Sequence, residues 1–207
     1  MNRFLLHPSA KPLVFLLCLG PLAWLVSGAA TGYLGPNPAE TLIRSTGDWS
    51  LRMLWFALAV TPLRLWTGWP ALARLRRLLG LTAAFYVALH FACYAWLDQD
   101  LALDVILRDI AKRPFILVGT LAGLLMLPLA ATSFNAAVRW LGAARWRALH
   151  RAAYAAALLG LLHFFWMRSA KNLWGEVSVY ATVLALLFGA RLWRWRRASR
   201  VAPVGTP

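Results

Sequence analysis

Acidic residues are nearly missing from this chain. It carries 7 Asp+Glu against 22 Lys+Arg in 207 residues, and only 14% of it is charged, where a soluble domain runs near a quarter. No acid lies deep in a long apolar run, Glu176 at the very start of Gly175–Trp193 being the one within any, which argues against a hard metal site built on carboxylates and against a carboxylate proton relay. Cysteine is equally scarce. Cys18 and Cys93 both lie in apolar runs and form neither a CxxC pair nor a CxxCH. A redox dithiol and covalently attached c-type haem are therefore unsupported, and two quiet buried thiols are expected. Internal repeats of 20–50 residues and low-complexity tracts are absent as well.

What the chain has in abundance is apolar surface: 61% of its residues are hydrophobic and the mean hydropathy is +0.61. Lipid is the solvent such a composition suits, and little chain is left for a soluble domain. A bilayer crossing takes about 20 mostly apolar residues. Six runs fit: Leu13–Ala30, Trp49–Trp66, Leu78–Leu97, Phe115–Ala131, Leu149–Met167 and Gly175–Trp193. The reading is all-α, one transmembrane domain over residues 1–207, with six spans joined by short connectors such as GYLGPNPAE and TGWPALARLRR. The first run follows Arg3 and Lys11 and precedes SGAA, but it is longer than a leader's apolar region and is read as a retained span. Residues 98–113 (DQDLALDVILRDIAKR) space their apolar residues as a short interfacial helix would, a surface where a partner has room to dock.

Sorting charges by side gives the orientation. Placing the N-terminus, the second–third and fourth–fifth connectors and the C-terminal tail together collects fifteen basic residues and no acid on one side. The other side holds all seven acids (Glu40, Asp48, Asp98, Asp100, Asp104, Asp109, Glu176) with Arg44, Arg52, Arg108, Lys112, Arg113, Arg168 and Lys171. The basic side is cytoplasmic by the positive-inside rule, so both termini are expected there. The same clustering beside apolar runs makes topology, not nucleic-acid binding, the first explanation of the +15 net charge. Trp146, Trp166 and Trp193 near run ends suit aromatic belts.

Histidine is the residue type able to carry chemistry in such a bundle. His7 precedes the first run and is read as a solvated tail residue. His90 and His163 lie near the outer ends of the third and fifth runs, which run in the same direction, and at about 1.5 Å rise per residue their depths agree within a turn. Two neutral imidazoles at one depth on neighbouring helices are what a six-coordinate b-type haem iron takes as axial ligands. The competing reading is a pair of structural histidines bonded to neighbouring helices, in a small transporter or scaffold. Against transport stands the lack of Gly/Pro-broken half-helices in paired positions. His150 sits at the inner start of the fifth run. Thirteen residues turn an ideal helix through about 220°, so His150 and His163 do not share a face. Opposite His150 lies Arg77 beside Arg76, a poor iron ligand but a good partner for a propionate or phosphate. His150 thus has three readings: ligand of a second haem, part of a flavin or quinone site, or an interfacial histidine.

Four stretches carry a family likeness: TGDWSLRMLWFALAVTPLR (46–64), RRLLGLTAAFYVALHFACYAWLD (76–98), KRPFILVGTLAGLLMLPLAATS (112–133) and RWRALHRAAYAAALLGLLHFFW (145–166). With them the chain resembles the ferric-reductase-type transmembrane domain and, more closely, the MsrQ (YedZ) family, the haem-binding membrane subunit of the bacterial protein-methionine-sulfoxide reductase system. The resemblance implies a multi-pass bacterial inner-membrane protein with haem b, one or two, and FMN. It implies an electron-transfer subunit and not the catalytic one. Electrons would come from the quinone pool or a cytosolic flavin reductase and pass to a periplasmic molybdopterin-containing subunit that reduces methionine sulfoxide in proteins. The family's key positions fall on Arg77, His90, His150 and His163. Ferric reductases have four histidines in two pairs; here Arg77 stands near the fourth place.

Overall fold

In a computed structural model, residues 5–169 and 172–201 are described, with side chains through residue 197. Of the charged residues sorted by side above, Arg3 and Lys171 lie outside the described residues, and so does the side chain of Arg200. The described chain is helical throughout. Its helices are α1 (Ala10–Thr31), α2 (Pro38–Thr67), α3 (Arg76–Cys93), α4 (Leu103–Lys112), α5 (Pro114–Ala131), α6 (Asn135–Leu141), α7 (Ala143–His150), α8 (Ala152–Ser169) and α9 (Trp174–Val201). A 3₁₀ turn, Pro70–Leu75, leads into α3, and a π turn, Tyr94–Asp98, ends it.

Two antiparallel hairpins dominate the packing, α2 against α3 and α5 against α8. Small residues let the backbones approach: Ala83 and Ala157 are fully buried. Tyr86, also fully buried, donates its hydroxyl to the Cys18 carbonyl at 2.9 Å and ties α1 to α3. Cys18 is buried and Cys93 half-buried, and both thiols are free. Meanwhile Leu16, Leu17, Trp24, Leu124, Leu127 and Leu186 stand more than half exposed. So many outward apolar side chains suit a lipid surround and would be a liability in water.

Five described helical stretches are long and apolar enough to cross a membrane: 10–31, 70–98, 114–131, 143–169 and 174–197. The second sequence run, Trp49–Trp66, is not among them. It forms the later part of α2, a 30-residue helix that begins inside the predicted connector. Asn37 caps it, accepting from the Glu40 amide at 3.1 Å, Pro38 occupies the first turn, and Gly68 ends it at φ 68°. Polar residues dilute its hydropathy, yet it is the helix with the most buried side chains, Thr46, Leu51, Met53, Leu54, Trp55, Ala57, Leu58, Val60 and Pro62. Helices α1, α3, α8 and α9 all pack on it. Its polar groups therefore meet protein. Arg52 Nε donates to the Tyr180 hydroxyl at 2.7 Å, and Trp55 Nε1 donates to the Tyr180 carbonyl at 3.1 Å. The predicted helix after Asp98 is α4, strongly two-faced, with Ile106 and Asp109 buried and Leu103 and Leu107 exposed.

Pro62 creates a need that α9 meets. Having no amide hydrogen, it leaves the carbonyl four residues earlier, on Leu58, without its helical donor. The Arg191 guanidinium supplies one: Nη2 donates to the Leu58 carbonyl and Nη1 to the Leu187 carbonyl, with the charge over the Tyr154 ring at 5.3 Å. An unmet buried carbonyl costs about 1–3 kcal/mol. Arg191→Leu should lower stability by that amount in the native background and by clearly less in a Pro62→Ala chain, where residue 62 regains its amide. Thermal melts of the four chains in one detergent check this; equal losses in both backgrounds would refute the pairing.

Candidate functional site

Helix α3 carries His90 one turn before its end, and α8 carries His163 near its own end. Their rings lie 6.2 Å apart, centre to centre, with planes at 68°. Each imidazole is held from behind by the hairpin partner of its helix. His90 Nδ1 bonds the Ile43 carbonyl of α2 at 2.8 Å, and His163 Nδ1 bonds the Phe115 carbonyl of α5 at 2.7 Å. A carbonyl only accepts, so both Nδ1 atoms carry the proton. In the neutral rings the lone pair is then on Nε2. The Nε2 atoms make no hydrogen bond among the described residues, where no side-chain nitrogen or oxygen is both sealed and unpartnered, so they open onto accessible space.

This donor set fits a haem iron. A nitrogen–metal bond is about 2 Å, and two such bonds plus the ring radii make a centre-to-centre span near the one observed. Metal-bound histidines almost always give their other N–H to a carbonyl or carboxylate, which fixes tautomer and orientation. No group of three or more His, Cys, Asp and Glu side chains is placed to hold a metal ion among the described residues.

Beside the pair lies an ion network that sequence reading did not single out. Arg168, buried on α8, donates from Nη2 to both Asp48 carboxylate oxygens at 2.7 and 3.0 Å, and its Nε lies 3.1 Å from Glu176. It also lies over the Phe164 ring at 5.1 Å. Three helices, α2, α8 and α9, are thus joined one turn beyond His163. The available signal was spacing: Arg168 follows His163 by five residues, and Asp48 begins the second apolar run.

At the opposite end of α3 and α8 the inner residues gather at the α5–α6 junction. Arg77 Nη1 donates to Asn135 Oδ1 at 2.8 Å. His150 belongs to α7, since the helix is interrupted at Arg151. Its Nε2 lies 3.0 Å from the Thr132 hydroxyl. That hydroxyl gives its own proton to the Pro128 carbonyl at 2.6 Å, so it must accept from His150. Nε2 of His150 is therefore protonated, the tautomer opposite to that of His90 and His163. Trp146 stacks on the His150 ring at 3.9 Å and donates Nε1 to the Thr132 carbonyl at 2.9 Å. Together they fasten the end of α5. The structure brings His90 to His163 and Arg77 to the neighbourhood of His150, and it separates the two pairs along α3 and α8.

Residues 46–161 match the family described as ferric reductase like transmembrane component. With the apolar helices, this makes a multi-pass membrane protein. The chain is 58% identical over 200 residues to the protein-methionine-sulfoxide reductase heme-binding subunit MsrQ of Polaromonas naphthalenivorans, covering 96% of this chain and 91% of the relative. It is 50% identical over 193 residues to the MsrQ subunit of Ralstonia nicotianae, covering 93% and 89%. With that of Bordetella pertussis it shares 50% identity over 194 residues, covering 92% and 93%. No solved structure matches the chain.

Proposed function

The chain belongs to the MsrQ family of protein-methionine-sulfoxide reductase heme-binding subunits, and from that premise we propose that it carries electrons through haem b held between His90 and His163. The observation that carries this reading is the ring pair 6.2 Å apart with both Nδ1 atoms anchored on carbonyls. A haem bound there would supply one-electron redox chemistry. The protein's own part is to hold two neutral imidazoles in one tautomer and to keep them at a fixed separation. Among the two members of the inner pair, His150 uses its Nε2 on Thr132, which favours its interfacial reading and a single haem.

The remaining assignments follow the charge pattern and the family. We place all six runs across the bacterial inner membrane, α2 as the central span, with both termini cytoplasmic. The acid-bearing end with the His pair then faces the periplasm, where electrons leave for a molybdopterin-containing subunit that reduces methionine sulfoxide. Electrons enter at the cytoplasmic end from the quinone pool or a flavin reductase. There Arg77, Arg145, Arg147 and Arg151 form a cationic surface suited to the phosphate of FMN. The chain serves as the electron-transfer subunit and leaves sulfoxide reduction to its partner.

Purified from haem-replete cells, the protein should show a Soret band and, by pyridine hemochromogen, one haem per chain; a preparation without haem overturns the relay. Alkaline phosphatase fused after residue 207 should be inactive, and an active fusion overturns the six-span orientation.

A further inference from the structure

Both outer histidines lean on a glycine. A Cβ added to Gly47 of α2 would lie 3.0 Å from His90 Cε1 and 3.1 Å from its Nδ1. One added to Gly119 of α5 would lie 2.7 Å from His163 Nδ1 and 2.9 Å from its Cε1. Neither glycine has a positive φ, so no turn requires it. Each stands inside a helix, where glycine costs about 1 kcal/mol relative to alanine. Other helical glycines meet no imidazole. Gly20 and Gly80 have nothing within 4 Å, and Gly28 meets only the flexible end of Leu34.

The two sites share one construction. Gly47 follows Ile43 by four residues, and Gly119 follows Phe115 by four. Those two residues supply the carbonyls that hold His90 and His163. In an α-helix the Cβ of residue i+4 tilts toward the N-terminus and covers the turn that presents the carbonyl of residue i. A side chain at 47 or 119 would therefore stand in the way of the imidazole reaching that carbonyl. A bare Cα leaves the path open.

We propose that Gly47 and Gly119 are positioning residues for the two haem ligands, each providing the seat that lets Nδ1 reach its carbonyl and leaves Nε2 for the iron. This rests on the reading that His90 and His163 hold the haem. The carbonyl bond raises the basicity of the imidazole and favours ferric iron, so pushing the ring off its seat raises the midpoint potential. At Gly119 the added methyl meets the ring below any normal contact distance, so the ligand itself must move. At Gly47 the approach is tight but short of that.

Gly47→Ala, Gly119→Ala and the control Gly80→Ala, made in the full chain, separate this from a general packing role. Gly119→Ala should retain haem about tenfold or more weakly, the scale for losing a ligand's supporting partner, and the haem left should show high-spin character. Gly47→Ala should keep low-spin haem with a raised midpoint potential. Gly80→Ala should match the native chain in content, spin state and potential. Native haem content, spin state and potential in both seat variants would overturn the proposal while leaving the ligand pair standing. A native chain without haem removes the ligand reading and this one with it. Should Gly119→Ala fail to fold, Gly47→Ala decides. Misfolding of both beside a folded Gly80→Ala also counts against the proposal, because the clash lies with one ring and not with the backbone.

Discussion

Chains carrying His163→Ala should be purified nearly free of haem, with the dithionite-reduced α band lost. The same is expected of His90→Ala, and the opposite of His150→Ala. Losing only the partner of a metal ligand typically weakens retention about 10–100-fold, and losing the ligand itself should do at least as much. The two outer imidazoles are equivalent in every respect that matters for ligation: same tautomer, same kind of anchor, and one ring facing the other at 6.2 Å. Both histidines are half-buried, and each makes one hydrogen bond to a neighbouring helix. His150 differs on each count, with Nε2 committed to Thr132 and Trp146 stacked on the ring. Absorption spectra at equal protein concentration, with circular dichroism to confirm helicity, make the measurement. A normal reduced spectrum in either outer variant would sink the pairing, and loss of half the haem in His150→Ala would bring back a second centre.

Arg168→Met should be the most destabilising single change outside the ligand pair. It leaves Asp48, with only 19% of its side chain exposed, without the guanidinium that meets both its oxygens. Removing one member of a buried pair costs about 3–5 kcal/mol, which corresponds to a fall of about 10 °C in melting temperature for a chain of this size. Most of that cost comes from Asp48, because Glu176 is half in solvent and its contact is worth little. A second substitution, Asp48→Leu, should recover part of the loss by removing the stranded charge. Melts of the single and double variants in one detergent test this. A change within a degree for Arg168→Met, or strict additivity in the double variant, would show that the network holds little of the fold.

Much of this architecture was legible because lipid imposes long helices. Five of the six apolar runs became helices that begin within three residues of the expected starts, as at Phe115–Ala131 against Pro114–Ala131. The exception shows what hydropathy misses. α2 starts eleven residues before its apolar run because Asn37, Pro38 and Glu40 form a capped start, a local signal hidden inside a stretch read as connector. Its polarity is tolerated because other helices, not lipid, surround it, and burial of that kind depends on residues over a hundred positions away. The outer pair followed from depth alone, since rise per residue is fixed. Its anchors were invisible, because carbonyls belong to every sequence and only packing decides which one a histidine finds. Angle on an ideal helix sets His150 apart from His163, and the sequence carries no sign of the interruption at Arg151 that lies between them.

The polarity of α2 bears on how the protein is made. A nascent α2 reaches the translocon with Asp48 and Arg52 unmatched, and their partners Arg168 and Tyr180 lie 120 and 128 residues downstream. At about 5–20 residues per second, those partners follow on the order of ten seconds later. Through that interval α2 is a marginal substrate for lateral release into lipid. Its neighbour α3 follows directly, while the partners of its polar groups arrive only with α8 and α9. The packing of α2 is thus complete only when the last described helix has been made.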